Sequence, residues 1–76
     1  MKKIQIYTSD TCGRCVQAKE YFKQNNIEYV EHNINRNSEA RKELIGMGYM
    51  SVPVILIDED HVLGFDLKRI EKLLGK

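Results

Sequence analysis

The sequence predicts an α/β domain in which the elements follow the order βαβαββα and build a four-stranded mixed sheet flanked by three helices. Apolar residues alternate with polar ones in some segments and recur every three or four positions in others, and polar or glycine-containing breaks separate these segments. Because the chain has 76 residues, we expect one domain over residues 1–76. Hydrophobic residues make up 42% of it and charged residues 30%, which is typical of a folded globular domain.

The first half of the chain predicts a strand, a helix and a second strand. In residues 3–8, Ile4 and Ile6 alternate with more polar neighbours, which favours a strand. Residues 13–25 predict a helix, because some of their apolar side chains share one face: Cys15, Ala18 and Phe22. Residues 27–34 predict the second strand. A strand, a helix and a strand in this order favour a parallel pair with a right-handed crossover.

The second half predicts a helix, a hairpin and a last helix. Residues 39–47 follow a polar loop that can cap a helix. Residues 52–57 are nearly all apolar, which predicts a strand that is buried on both faces. A polar turn then leads to a short returning strand over residues 61–63. Asp66 can cap the last helix, whose apolar positions keep helical spacing: Leu67, Ile70, Leu73 and Leu74.

Charge and hydropathy exclude two broad classes of function. Twelve basic and eleven acidic residues leave a net charge of +1, whereas nucleic-acid-binding domains usually carry a clear basic excess. The longest largely apolar run, residues 52–57, is too short to span a membrane. No secretory leader is expected, since Lys2 and Lys3 precede only a short and partly polar strand. We therefore expect a cytoplasmic protein whose thiols are kept reduced.

The two cysteines, Cys12 and Cys15, lie where the first strand meets the first helix. A disulfide between them would close a very short loop and would stabilise the fold by only about 2 kcal/mol through the lower entropy of the unfolded chain. The pair is therefore better suited to a chemical role than to stabilising the fold. The helix N-terminus and the positive charge of Arg14 both favour a thiolate at Cys12. Cys15, one turn further in, is expected to stay protonated and to resolve a mixed disulfide formed at Cys12.

Three other interpretations of the cysteines remain open at this point. A carrier of zinc or of an iron–sulfur cluster would use the same thiols, but zinc needs two more ligands. Only His32 and His61 are available, and they lack the spacing of a zinc finger. A second interpretation takes the cysteines as two small core residues, and a third takes the chain as a redox-inert interaction module. A Cys-x-x-Cys beside a βαβ pattern favours redox chemistry over all of these.

Three segments resemble the glutaredoxin branch of the thioredoxin superfamily. Residues 7–15, Tyr-Thr-Ser-Asp-Thr-Cys-Gly-Arg-Cys, are similar to its active-site loop. Residues 51–53, Ser-Val-Pro, resemble its Thr-Val-Pro, and residues 64–66, Gly-Phe-Asp, resemble its Gly-x-Asp segment. The resemblance implies a minimal thioredoxin fold, a cis peptide between Val52 and Pro53, and thiol–disulfide exchange catalysed by the two cysteines.

The chain also departs from the family pattern. Gly13 and Arg14 replace the usual proline and tyrosine between the cysteines, and Ser9 stands where many members carry a lysine. Leu63 and Leu67 replace a glycine and an acid of the later motif. Two other segments, Gly48-Tyr49 upstream of the proline and Gly64-Phe65-Asp66, look more like the glutaredoxin-like redoxins, which include those that serve ribonucleotide reductase.

The resemblance implies a surface that binds a disulfide substrate or glutathione, made of Tyr7, Gly13, Arg14, Val52, Pro53, Gly64, Phe65 and Asp66. The backbone of Val52 would pair with an extended substrate, and Asp66 would hold the α-amino group of glutathione. Each also has a simpler interpretation: Asp66 as a helix cap, Tyr7 as a core aromatic and Phe65 as ordinary packing. The simpler interpretation of Arg14 is a solvated residue of the first helical turn.

The same resemblance implies no bound cofactor and no resident metal. Glutathione or an enzyme of the thioredoxin-reductase type would reduce the pair from outside. The expected partners are proteins that contain disulfides, with glutathione as a second candidate, and the chain is expected to be a monomer.

Overall fold

The computed structural model describes residues 3–75, so the ends of the predicted domain at residues 1, 2 and 76 lie outside the described residues. Within it, four strands and three helices follow the predicted order: β1 (Ile4–Thr8), α1 (Gly13–Gln24), β2 (Val30–Asn33), α2 (Ser38–Gly46), β3 (Val54–Ile57), β4 (Asp60–Leu63) and α3 (Leu67–Leu74). None of the helices within residues 3–75 has both the length and the apolar character needed to cross a membrane.

The four strands form one mixed sheet in the order β2-β1-β3-β4. Strand β1 pairs in parallel with β2 and antiparallel with β3, and β3 pairs antiparallel with β4. The two central strands are therefore β1 and β3, and all four residues of β3 are buried, as their apolar sequence predicts. The predicted βαβαββα fold with a four-stranded mixed sheet and three helices is confirmed.

Two apolar clusters cover the two faces of the sheet. Helices α1 and α3 pack on one face, where the buried residues are Ile4, Ile6, Ala18, Phe22, Ile55, Ile57, Val62 and Ile70. Helix α2 packs on the other face, where the buried residues are Tyr7, Ala40, Leu44, Val54 and Leu56. Because both faces of β1 and β3 are covered, these two strands form a rigid base for the loops that extend from their ends.

Two predicted helix caps form in the structure. Asn37 precedes α2, and its side-chain oxygen accepts the backbone N–H groups of Glu39 and Ala40. Asp66 precedes α3, and its carboxylate accepts the backbone N–H of Arg69 at 3.3 Å. These oxygens satisfy donors that the first helical turn leaves without partners.

Two strands begin two or more residues later than the sequence predicts. Strand β2 begins at Val30 and not at residue 27, because the backbone N–H of Ile27 bonds the Phe22 carbonyl at 2.8 Å and keeps the chain beside the end of α1. Strand β3 begins at Val54 and not at residue 52. The peptide bond between Val52 and Pro53 is cis, as the resemblance implies, and proline has no N–H to donate to a ladder.

Candidate active site

Three segments meet at one end of the sheet. Tyr7 pairs with Val54 across the two antiparallel central strands. The loop that follows β1 and leads to Cys12 therefore lies at the same end as Pro53, which precedes β3. A hydrogen bond of 2.8 Å from the backbone N–H of Gly64 to the carbonyl of Pro53 brings the start of the α3 segment to the same place.

Cys12 is the N-cap residue of α1. Its backbone is extended, and its Sγ accepts the backbone N–H of Cys15 at 3.2 Å. The sulfur thus takes the place of the oxygen that usually caps a helix, at the end where the helix dipole is positive. The residue is half-buried, so part of it stays accessible to a substrate.

Cys15 is the buried partner, with 1% of its surface exposed. Burial raises the pKa of its thiol to about 12, and a hydrogen bond with Cys12 adds to the rise. The backbone of Ser9 and the charge of Lys19 act in the opposite direction. The direction of this pKa agrees with the expectation that Cys15 keeps its proton in the reduced protein.

The two residues between the cysteines face solvent. Gly13 is the first residue of α1, and a Cβ added there would meet nothing within 4 Å, so close approach of the backbone does not require glycine. Arg14 is exposed and has no acidic partner within residues 3–75, unlike Arg36, which pairs with Asp10 at 3.3 Å. The charge of Arg14 is therefore available to an incoming molecule.

The segment before β3 offers a free backbone beside a buried ring. The side chain of Pro53 is fully buried, whereas Val52 is half-buried and packs with the cluster under α2. Among residues 3–75, the N–H and carbonyl groups of Val52 have no hydrogen-bond partner. Such a stretch can accept an extended peptide by strand addition.

The segment before α3 combines structural and accessible groups. Gly64 has a φ of 77°, a left-handed conformation that suits glycine. Phe65 is half-buried and packs against the core cluster under α1 and α3, with its ring centroid 6.2 Å from that of Tyr21. Asp66 is exposed and caps α3 through one oxygen, and its other carboxylate oxygen has no partner within residues 3–75. Capping is thus confirmed for Asp66, and ligand binding stays a prediction.

The placement of Tyr7 in the binding surface is wrong. This side chain is 2% exposed and belongs to the core cluster under α2. Its hydroxyl donates to the carboxylate of Glu43 at 2.9 Å, and its ring lies 4.9 Å from that of His32. Burial, together with the Glu43 carboxylate, raises the pKa of Tyr7 to about 12. Tyr7 holds α2 against the sheet and cannot flank a groove.

Both histidines have partners away from the cysteines. His32 hydrogen-bonds Gln5 at 2.9 Å, and His61 hydrogen-bonds the hydroxyl of Tyr49 at 2.7 Å. Within residues 3–75, no group of three or more His, Cys, Asp or Glu side chains is arranged to hold a metal ion. The interpretation of the cysteines as half of a zinc site with these histidines therefore gains no support.

A polar cluster beside the cysteines escapes sequence analysis. Thr8 is buried at the end of β1, and its hydroxyl donates to Glu31 at 2.7 Å. Lys19 pairs with the same carboxylate oxygen at 3.0 Å. The spacing of Lys19, four residues after Cys15, was visible in the sequence, but the place of Glu31 depends on the pairing of β1 with β2.

The fold and the paired thiols define a small dithiol protein of the thioredoxin-like class. The glutaredoxin family model matches residues 4–62, and the chain belongs to the glutaredoxin family. A glutaredoxin-like 8.6 kDa protein from Clostridium pasteurianum, whose gene lies in a rubredoxin operon, is 39% identical over 96% of this chain and 99% of its own length. Membership of this family implies a thiol–disulfide redox function.

Solved structures agree with this assignment. A mutant of the thioredoxin-like protein BC3987 superposes with a TM-score of 0.91 at 36% identity, covering 99% of this chain and 97% of that one. NrdH-redoxin from Escherichia coli, a glutaredoxin-like protein with a thioredoxin-like activity profile, superposes with a TM-score of 0.84 at 27% identity, covering 93% of each chain. The predicted family resemblance is confirmed.

Proposed function

We propose that this protein is a dithiol oxidoreductase that reduces disulfides of proteins, or mixed disulfides with glutathione, through Cys12 and Cys15. The observation that carries the proposal is the asymmetry of the pair. Cys12 is accessible and caps a helix, whereas Cys15 is buried and holds its proton. The Cys12 sulfur is thus suited to attack the substrate, and the Cys15 sulfur is suited to react in the second step.

The reaction needs two exchanges. The Cys12 thiolate attacks one sulfur of the substrate disulfide, and the other sulfur leaves as a thiolate and takes a proton. Cys15 then loses its proton and attacks Cys12, so that the Cys12–Cys15 bond forms and the second substrate thiol leaves. In total the two cysteines give up two electrons and the Cys15 proton, and the substrate disulfide gains two electrons and two protons, the second of them from water. The hydrogen bond from the backbone N–H of Cys15 to the Cys12 Sγ keeps the two residues close, which supports the formation of a bond between their sulfurs.

The substrate surface is formed by the segments that meet at the cysteines. Val52 would pair its free backbone groups with an extended substrate, and Pro53 would pack beside the reacting sulfurs. Gly13 leaves the front of the helix open, and Arg14 supplies an unpaired positive charge. The other side of this substrate surface would be formed by Gly64, Phe65 and Asp66. The free carboxylate oxygen of Asp66 can accept a hydrogen bond from an ammonium group of the substrate.

The reductant is proposed to come from outside the protein. Two molecules of glutathione, or the dithiol of an enzyme of the thioredoxin-reductase type, would return the Cys12–Cys15 disulfide to the thiols. The family supports such external reductants without a bound cofactor. A cytoplasmic monomer that maintains cellular redox balance fits this chemistry.

The experiment that tests the proposal is a disulfide-reduction assay on single-cysteine variants. Cys12→Ser should abolish the reduction of a protein disulfide, because no accessible nucleophile remains. Cys15→Ser should retain the first exchange and accumulate a mixed disulfide, which intact-protein mass spectrometry detects. Full activity in Cys12→Ser would overturn the assigned roles.

The electron donor is tested in parallel. Oxidised protein and an excess of a disulfide substrate are added either to glutathione with glutathione reductase or to thioredoxin reductase, and NADPH consumption is followed in each mixture. Asp66→Asn is the matched variant, since asparagine caps helices as well as aspartate but lacks the negative charge. If glutathione is the donor and Asp66 holds its ammonium, this variant raises the KM for glutathione and leaves kcat and the helix unchanged.

A further inference from the structure

The cluster of Lys19, Glu31 and Thr8 fixes a positive charge beside the resolving cysteine. Lys19 lies four residues after Cys15 on α1, so both side chains project from the same side of the helix. The Lys19 Nζ is 3.0 Å from an oxygen of Glu31, which also accepts the hydroxyl of Thr8 at 2.7 Å. Because Thr8 is fully buried on a central strand, this carboxylate is anchored to a rigid part of the fold.

The charges around Cys15 make Lys19 its cationic partner. Within residues 3–75, the groups that act on the thiol are Cys12, the backbone of Ser9 and Lys19, and of these Lys19 carries the positive charge. It lowers the pKa of Cys15 against the stronger effect of burial.

The neighbours of the cluster are charged or titratable as well. Lys19 also interacts with Tyr29, and Lys23 acts on Glu31 from the next turn of α1. The pKa of Glu31 is lowered, because hydrogen bonds from Thr8 and Lys19 outweigh desolvation by burial. Glu31 is therefore an anion that holds the ammonium group and also offsets part of its charge.

We propose that Lys19 assists the resolving step by stabilising the thiolate that Cys15 becomes, with Glu31 and Thr8 as the positioning residues that hold its ammonium group. In that step the Cys15 S–H proton passes to water, the Cys12–Cys15 bond forms, and the bond from Cys12 to the substrate sulfur breaks. The departing substrate thiolate takes a proton. The inference rests on the dithiol exchange proposed above, and it extends the reacting unit beyond the two cysteines.

The experiment uses dithiobis-nitrobenzoate, a symmetric disulfide whose released thiolate is coloured. The reduced protein releases one thiolate when Cys12 attacks and a second when Cys15 resolves, so stopped-flow absorbance separates the two steps in one trace. Both rates are measured from neutral to alkaline pH. The variants are Lys19→Met, Lys19→Arg and Glu31→Gln. Lys42→Met is the matched control, because it removes one exposed positive charge from α2 on the opposite face of the sheet.

We expect Lys19→Met to slow the second release, by about threefold for every tenfold loss of thiolate population, since the greater nucleophilicity of a more basic thiolate offsets part of the loss. The first release should stay unchanged, and the pH profile of the second should move to higher pH. Lys19→Arg should restore the wild-type rate. Glu31→Gln keeps a hydrogen-bond acceptor but removes the negative charge, and it should accelerate the second release. Lys42→Met should behave as the wild type.

Three results would overturn the inference. In the first, Lys19→Met leaves the second release unchanged; in the second, it slows both releases equally. In the third, Lys19→Arg is as slow as Lys19→Met. The wild-type trace keeps this outcome separate from the proposed function. If the wild type shows no second release, dithiol exchange itself fails, whereas two releases without an effect of Lys19 refute only the role of this lysine.

Discussion

Reduced protein should lose stability steeply above pH 9, because the fold holds a proton on Cys15 that the unfolded chain gives up. The pKa of this thiol is raised from 9.0 to about 12, mainly by burial. Below pH 9 the thiol is protonated in both states, so its contribution to the free energy of unfolding is constant. Above pH 9 the unfolded chain binds fewer protons, and the loss is about 1.4 kcal/mol for each pH unit.

At pH 11 this loss amounts to roughly 3 kcal/mol. A domain of this size has a total stability of about 4–11 kcal/mol, so the effect of a single thiol is large enough to measure. The loss should begin near pH 9 and end near pH 12, where the folded protein releases the same proton. The direction follows from a pKa that is higher in the folded state than in the unfolded state.

The assay compares Cys12→Ser with the double variant C12S/C15S by urea unfolding between pH 8 and 11 in the presence of a phosphine reductant. Neither protein can form the internal disulfide, and only the first has the buried thiol. Between pH 9 and 11 the single variant should lose up to about 2 kcal/mol more than the double variant, and less to the extent that Cys12 itself contributes to the raised pKa of Cys15. Equal losses in the two proteins would refute the argument that burial keeps Cys15 protonated.

Three further predictions follow from single contacts. Tyr7→Phe removes the hydrogen bond to Glu43 and should lower the free energy of unfolding by about 1 kcal/mol in thermal or urea unfolding at pH 7, and no change would mean that the bond adds nothing net. Asp66→Ala should cost about 1 kcal/mol in the same measurement whereas Asp66→Asn should cost little, and equal costs would argue against capping of α3. Phe22→Ala empties the core under α1 and should cost about 3–5 kcal/mol, a value that a loss below 1 kcal/mol would contradict.

The sequence predicts most of the fold because its elements are locally consistent. The buried run of β3, the caps at Asn37 and Asp66, and the helical spacing of Cys15, Ala18 and Phe22 are each visible within a few residues. The end of a helix is harder to predict, because the hydrogen bond from Ile27 to Phe22 competes with strand pairing in the same segment. That competition explains why β2 is shorter than its apolar pattern suggests.

The sequence predicts those parts of the site whose residues lie close together in the chain. It does not predict the contacts that form only when the sheet brings distant residues together. The unequal burial of Cys12 and Cys15 follows from their positions at a helix start. The burial of Tyr7 does not follow from strand alternation, since both faces of a central strand are covered. The contact of Thr8 with Glu31 depends on the register of two parallel strands, which no local pattern specifies.

The burial of Cys15 also bears on how the protein keeps its reducing power. With 1% of its surface exposed and its proton retained, this thiol is shielded from small oxidants that react with accessible thiolates. In the proposed mechanism, Cys15 reacts only after the sulfur of Cys12 has itself been modified. The buried thiol is therefore protected from direct attack, although it can still react with Cys12 once that sulfur has been oxidised to a sulfenic acid or joined to a substrate.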